Sequence, residues 1–322
     1  MKILITGGLG FIGSNLAKRL LEDGHEVIIL DCLMKDYGGN LHNIHDFSNE
    51  ISLHFLDIRE TNKLKIHLKK VDIIFNLASQ IGHHYSMINP IEDLEINTVA
   101  QLNFLNLVKE ICPNVLIIYT STRQVYGIPK YKPVDEKHPI NPPDINGINK
   151  FAAEQYHLLY YKIHNLKTIV LRLTNTFGPR MRIKDARQTF LGIWIRNLIE
   201  DKIIQVYGNG EQLRDFNFVD DVIDALIKCI NNENAIGHIF NIGSNEFITL
   251  SKLARDICKF KRGAKWELVP FPEDKKSIDI GNYYTDFSLA KRILNWEPKT
   301  SLKKGLEQTY QFYIKNFYKY IM

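Results

Sequence analysis

The chain has 322 residues, 45% of them apolar, 11% aromatic and 24% charged, the composition of a globular protein rather than a disordered one. Lys and Arg exceed Asp and Glu by 41 to 36, a formal charge of +5, but the two signs are interspersed along the chain, which argues against nucleic acid as a partner and is compatible with an anionic small ligand. Cys32, Cys112, Cys229 and Cys258 show no CxxC spacing, no apolar run approaches the roughly 18 residues of a membrane span, and the N-terminus runs straight into a strand pattern. A cytoplasmic protein with free thiols, no metal site and no membrane association is therefore expected.

In chain order, "KILIT" (2–6) reads as a buried strand, and "FIGSNLAKRLLEDG" as a helix with Ile12, Leu16, Leu20 and Leu21 on one face and Gly24 as its stop. "EVIILD" (26–31), "VDIIFNLA" (71–78), "NVLIIYTS" (114–121) and "KTIVLRL" (167–173) are further short, β-branched strands. Amphipathic helices are predicted over 97–111 and 150–164. Strands alternating with helices imply a parallel sheet covered on both faces. Beyond about residue 175 the pattern is less regular, with turn-rich, helical and Pro-punctuated pieces. The C-terminal stretch spaces Leu302, Leu306, Tyr310, Tyr313 and Phe317 along one helical face. Its polar face is not strongly cationic, which favours a helix docked on the protein over one lying on a membrane.

"TGGLGFIG" (6–13) follows the first strand and opens the first helix, with Gly7, Gly10 and Gly13 spaced for a tight turn against a pyrophosphate at a helix N-terminus. Asp31 ends the second strand, where a carboxylate accepts from ribose hydroxyls and repels a 2′-phosphate, so the cofactor expected is NAD rather than NADP. Asp57 and Ile58 are placed beside the adenine. Leu77, Ala78 and Ser79 are placed along the cofactor groove.

These motifs, with "STRQVYG" (121–127), Lys150, "LRLTNTFGPR" (171–180), "RDFNFVDD" (214–221) and "WEP" (296–298), resemble an extended short-chain dehydrogenase/reductase of the nucleotide-sugar epimerase and dehydratase branch, similar to UDP-glucose 4-epimerases, over nearly the whole chain. The resemblance implies a Rossmann-type doubly wound parallel sheet with a smaller C-terminal lobe. Residues 1–174, with roughly 214–243 returning, would form the NAD-binding domain, and 175–213 with 244–322 the lobe for a nucleotide-diphosphate sugar. Phe11 and Ile12 join the glycines as cofactor contacts, and a homodimer through the helices at 97–111 and 150–164 is expected. The product would feed a surface polysaccharide.

In that family a Ser or Thr, a Tyr and a Lys act together: the Tyr takes the proton of a sugar hydroxyl as hydride leaves for NAD. Thr122 and Lys150 match the first and last positions, with Lys150 also contacting the nicotinamide ribose, but Asn146 stands at the Tyr position. An amide orients an oxygen but is no base near neutral pH. Dehydratases carry Asp-Glu directly after the Thr; here Arg123 and Gln124 follow, which disfavours ordinary dehydration. His83 and His84 are candidate replacement bases, with loop packing as the alternative, and Tyr126 is a weaker candidate. On the substrate side the resemblance assigns Asn175 to the sugar-nucleotide pocket and Arg214 to the diphosphate, and Arg123, Arg182, Arg187 and either Lys275 or Lys276 as further contacts, with a solvated basic loop as the alternative for 180–188. The leading expectation is an epimerase working through a transient keto-sugar. A dehydrogenase or reductase, a dehydratase with a relocated base, and a catalytically silent binding protein are its rivals.

Overall fold

The computed structural model describes residues 1–187 and 189–321. Its centre is a seven-stranded, wholly parallel sheet built from β1 (Lys2–Thr6), β2 (Glu26–Asp31), β3 (Ser52–Phe55), β4 (Ile73–Asn76), β5 (Leu116–Thr122), β6 (Thr168–Leu173) and, far along the chain, a strand at Ile239–Ile242. From one edge the order is Ile239–Ile242, β6, β5, β4, β1, β2, β3. Ile3, Leu4 and Ile5 have no exposed surface, as expected of a strand covered on both faces, where alternation gives way to a continuous apolar run. The first crossover from β1 to β2 runs through α1 (Phe11–Glu22), while β4 lies on the other side of β1. Strand order therefore reverses beside β1, and a crevice opens at the carboxyl ends of β1 and β4.

After β6 the chain builds two small sheets. Asn175–Phe177 (β7), Leu213–Phe218 (β9) and Phe247–Thr249 (β11) pair in one, and Ile204–Tyr207 (β8) and Trp266–Val269 (β12) in the other. The Ile239–Ile242 strand is thus β10. The chain returns to the large sheet with the helix Val219–Lys228 and β10, whereas Leu213–Phe218 stays in the small sheet. Trp296, nearly without exposed surface, donates its indole N–H to the carbonyl of Asp221 at 2.8 Å and fastens the "WEP" segment to that helix.

Two helices differ from their sequence-predicted extents. The one expected over 97–111 is a π-helical turn, Glu95–Val99, running into an α-helix from Ala100 to Ile111. The one expected over 150–164 begins at Ile145, because Asp144 caps it by accepting from the Gly147 amide at 2.7 Å. The earlier start puts Asn146 and Lys150 one above the other on a single helix face. At the C-terminus, Leu302, Leu306, Tyr310 and Tyr313 are buried in the main core, so this is a docked helix. No helix among the described residues is long and apolar enough to cross a membrane.

Candidate active site

A cavity of about 850 Å³ opens at the carboxyl ends of the strands and runs from the glycine loop to the small sheets. Its first wall is the loop after β1. Gly7 sits at φ +74°, and a Cβ there would press on the Ala78 backbone; a Cβ on Gly13 would lie 2.3 Å from the Gly7 carbonyl oxygen. Only glycine fits, and the result is backbone held open for a ligand at the α1 N-terminus. Asp31 uses one carboxylate oxygen to accept from the Leu33 amide at 2.8 Å and the other from the Leu9 amide at 3.0 Å, which keeps both oxygens at the cavity wall. Gly10, Phe11, Ile12, Asp57, Ile58, Leu77, Ala78 and Ser79 line the same end, and Asp57 is pinned by Arg59 at 2.6 Å. The residues present fit a dinucleotide with free ribose hydroxyls.

At mid-cavity the helix Ile145–His164 presents Asn146 and Lys150. Asn146 is part of a buried polar network. Its Nδ2 donates to the Gln80 carbonyl at 2.8 Å and to Asp93 Oδ2 at 3.0 Å, and its backbone N–H donates to Ser86 Oγ at 3.1 Å. Asp93 has no exposed surface and also accepts from Gln80 Nε2 at 2.7 Å and Asn149 Nδ2 at 2.8 Å. Both amide N–H groups of Asn146 are thus taken up inside the protein, leaving its carbonyl oxygen for a ligand. Gln80 and Asp93 were not legible as site-shaping residues, because they meet residue 146 only through tertiary packing.

Lys150 donates to the Thr120 carbonyl at 2.6 Å and lies 4.4 Å from the centre of the Tyr119 ring. Burial pushes its ammonium down to about 7, against the opposing pull of Asp93 and Glu154. Thr122 accepts from the Gln124 amide at 3.2 Å, and among the described residues its own hydroxyl proton has no acceptor. His83 stands opposite, its Nδ1 3.1 Å from Oδ2 of the fully buried Asp144 side chain. The contact is within ion-pair reach but not aligned as a hydrogen bond, since Nδ1 is left without an aligned partner. Burial raises the Asp144 carboxyl, yet His83, the Gly147 amide and Gln124 together hold it below its ordinary range. His84 reaches the exposed Asp274, at 3.4 Å. Tyr126 is corrected as a candidate: it has no exposed surface, is off the cavity wall, and its hydroxyl is fixed between Arg172 and Asn241, each at 2.7 Å.

Beyond Thr122 the wall becomes cationic and then aromatic. Arg123 donates to Asn175 Oδ1 at 2.8 Å. Arg214 donates to Asp279 at 2.7 Å and to the Gly281 carbonyl. Arg187 donates to the Asp36 carbonyl at 2.9 Å and covers the Tyr85 ring. One expected contact moves: Arg182 points away from the cavity into Asp185 and the Tyr37 carbonyl, and of Lys275 and Lys276 it is Lys275 that stands on the wall, 3.1 Å from the Tyr207 hydroxyl. Gln188, the last residue of that basic segment, lies outside the described residues. Phe190, Trp194, Tyr207 and Phe271 close the far end. Sequence reasoning missed this aromatic end, although Phe190 and Trp194, four apart on one helix, were its available signal.

A dinucleotide cradle at a switch point, sharing one cavity with a second subsite of cations and aromatic rings, defines an enzyme that brings a dinucleotide cofactor to a nucleotide-linked substrate. The family model described as GDP-mannose 4,6 dehydratase matches residues 4–309, and the chain belongs to this extended short-chain dehydrogenase/reductase family of nucleotide-sugar epimerases and dehydratases. It is 33% identical over 307 residues to a putative UDP-glucose 4-epimerase of Methanocaldococcus jannaschii, covering 95% of this chain and 96% of the relative. Among solved structures it resembles Pal from Bacillus thuringiensis, with a TM-score of 0.91 at 31% identity, covering 98% of this chain and 100% of the other. It also resembles the UDP-glucuronic acid 4-epimerase of Bacillus cereus in complex with UDP-glucuronic acid and NAD, with a TM-score of 0.86 at 28% identity, covering 99% and 100%.

Proposed function

We propose that the protein is an NAD-dependent nucleotide-sugar epimerase in which the proton-accepting role has moved from residue 146 to His83, backed by Asp144. The observation that carries this reading is the His83–Asp144 contact at 3.1 Å on the cavity wall, directly before the helix that bears Asn146 and Lys150. Bound NAD would supply the reversible hydride chemistry of the reaction. Its site is the Gly7–Gly13 loop with Asp31, where a carboxylate between two backbone amides suits free ribose hydroxyls.

The rest falls to side chains of this chain. Thr122 directs its free hydroxyl proton to the reacting sugar oxygen. Asn146 presents its carbonyl to a sugar hydroxyl. Asp144, 3.1 Å from Nδ1 of His83, stabilises positive charge on the ring, and the other ring nitrogen takes the hydroxyl proton as the carbonyl forms and returns it when the carbonyl is reduced. Lys150, anchored on Thr120, places a cation beside the reacting centre. Lys275 and Arg214 neutralise the diphosphate, and the aromatic end receives the nucleobase. A homodimer through the helices at 97–111 and 150–164 is supported by exposed Ile148, Leu159 and Ile163 along one helix and Val99 at the start of the other.

The test is NMR of the protein with NAD and a panel of UDP-, GDP-, CDP- and dTDP-sugars. A new epimer without net NADH is expected, and His83→Gln should lower kcat by about 100-fold or more, in line with general-base catalysis, while leaving nucleotide binding intact. Full turnover in His83→Gln refutes the relocated base. Saturable binding of a sugar with no product from the wild type refutes the epimerase for that panel. That outcome favours the silent binder, to which the inward-turned amide of Asn146 also points.

A further inference from the structure

Among the described residues, Arg123 is the lysine or arginine of the cavity wall that keeps a buried side-chain nitrogen without a partner. Arg214 has Asp279 at 2.7 Å, Lys150 has the Thr120 carbonyl and Lys275 the Tyr207 hydroxyl. Arg123 has only the neutral Asn175 carbonyl on Nη2, and its Nη1 is buried without a partner. Among the described residues no carboxylate forms an ion pair with it, and Asp215, Asp279 and Asp144 act on it only from farther away. A desolvated guanidinium without a counter-charge is costly unless a ligand supplies one. The cost is compounded by Arg214, whose own guanidinium is held down to about 10 by burial first and by the neighbouring Arg123 second. Two like charges held together at one wall mark a place where an anion is expected.

Position tells which anion. Pairwise contacts link the wall residues: Lys275 stands 3.1 Å from the Tyr207 hydroxyl, Arg214 and Arg123 act on each other, and Arg123, which follows Thr122 in the chain, holds Asn175 at 2.8 Å. Lys275 and Arg214 lie where a diphosphate would follow a nucleobase. Arg123 directly precedes the reacting centre, one residue from Thr122. Its guanidinium is braced 5.2 Å from the centre of the Tyr283 ring, which together with Asn175 restricts its plane and suits a planar, two-oxygen acceptor.

We infer that Arg123 binds a carboxylate carried by the sugar itself, so that the substrate is a nucleotide-linked uronic acid rather than a neutral hexose. This rests on the nucleotide-sugar reading above and narrows it. The anion completes the unmet valence of Arg123, fixes the sugar ring against Thr122 and relieves the repulsion with Arg214.

The experiment is calorimetric titration of the NAD-loaded protein with UDP, UDP-glucose and UDP-glucuronic acid, and with GDP, GDP-mannose and GDP-mannuronic acid. With one nucleotide, the wild type should bind the uronate about 10- to 100-fold tighter than the neutral sugar, the range of one charge-assisted contact. Arg123→Gln should erase that preference and leave the affinity for the bare nucleoside diphosphate unchanged, whereas Arg123→Lys should keep part of it. Equal binding of uronate and neutral sugar by the wild type, which requires no variant to fold, overturns the inference. So does a uronate preference that survives Arg123→Gln, or an equal loss of affinity for bare UDP or GDP, which would make Arg123 a diphosphate ligand. Binding and epimerisation of neutral sugars alone overturns the uronate assignment and leaves the epimerase standing. No binding of any of the six removes both.

Discussion

Replacing Asn146 by Asp is isosteric, so its effect reports the charge environment of residue 146 rather than its shape. In the structure Nδ2 of Asn146 donates to Asp93 Oδ2 at 3.0 Å. The substitution would put a second carboxylate against one that has no exposed surface, and two carboxylates at that separation cannot both ionise. A shift of 2–3 pKa units in the shared site corresponds to about 3–4 kcal/mol lost at neutral pH. The sign follows from the linkage: the folded-state pKa of the pair is raised above the unfolded carboxylate value, so stability is retained at low pH, where the introduced carboxyl keeps a proton and donates in place of the amide, and is lost as pH rises through the raised pKa. Urea unfolding of the wild type, Asn146→Asp and Asn146→Ala at about pH 5 and about pH 7.5 reads this directly. The Asp variant should trail the wild type by about 1.5 kcal/mol at about pH 5, where the unfolded carboxyl is already ionised, and by about 3–4 kcal/mol at about pH 7.5. The Ala variant should lose about 1.5–3 kcal/mol at both, the worth of a hydrogen bond to a charged group. If the Asp variant tracks the wild type within about 0.5 kcal/mol at both pH values, the Asn146–Asp93 bond does not exist in solution and the inward assignment of the amide is wrong.

Two further predictions rest on single features. Lys150→Met should abolish turnover yet raise the urea midpoint, because it removes a buried ammonium held down to about 7. Since that folded pKa lies below the unfolded value, the wild type carries the full cost of the buried charge below about pH 7 and sheds it as pH rises toward the unfolded lysine pKa; the advantage of the Met variant should therefore shrink in alkali, and an advantage that is constant or grows with pH contradicts the assignment. Gly13→Ala would drive a Cβ to 2.3 Å from the Gly7 carbonyl oxygen, so NAD affinity measured by fluorescence quenching should fall by about tenfold or more; undiminished affinity would mean that this loop does not cradle the dinucleotide.

How much the sequence determined, and where it stopped, follows from the range of the forces involved. The glycine loop, the acid at the end of β2, the alternation of strands with helices and Lys150 are local: each depends on spacing within a few residues, and the structure puts all of them where the spacing implied. The start of the helix at Ile145 was also written locally, in Asp144 three residues before Gly147, but was overshadowed by the longer apolar periodicity that begins at Lys150. Arg182 left the site for a different reason: a charged residue in a loop is placed by whichever partner is nearest in three dimensions, and Asp185 with the Tyr37 carbonyl claimed it. What residue 146 does was beyond any one-dimensional reading. The sequence showed an amide where a phenol was expected. Only the packing of Gln80, Ser86 and Asp93 around it, from 53 to 66 positions away, decided that its donors face inward, because a buried carboxylate must find its hydrogen bonds among whatever side chains the fold brings to it.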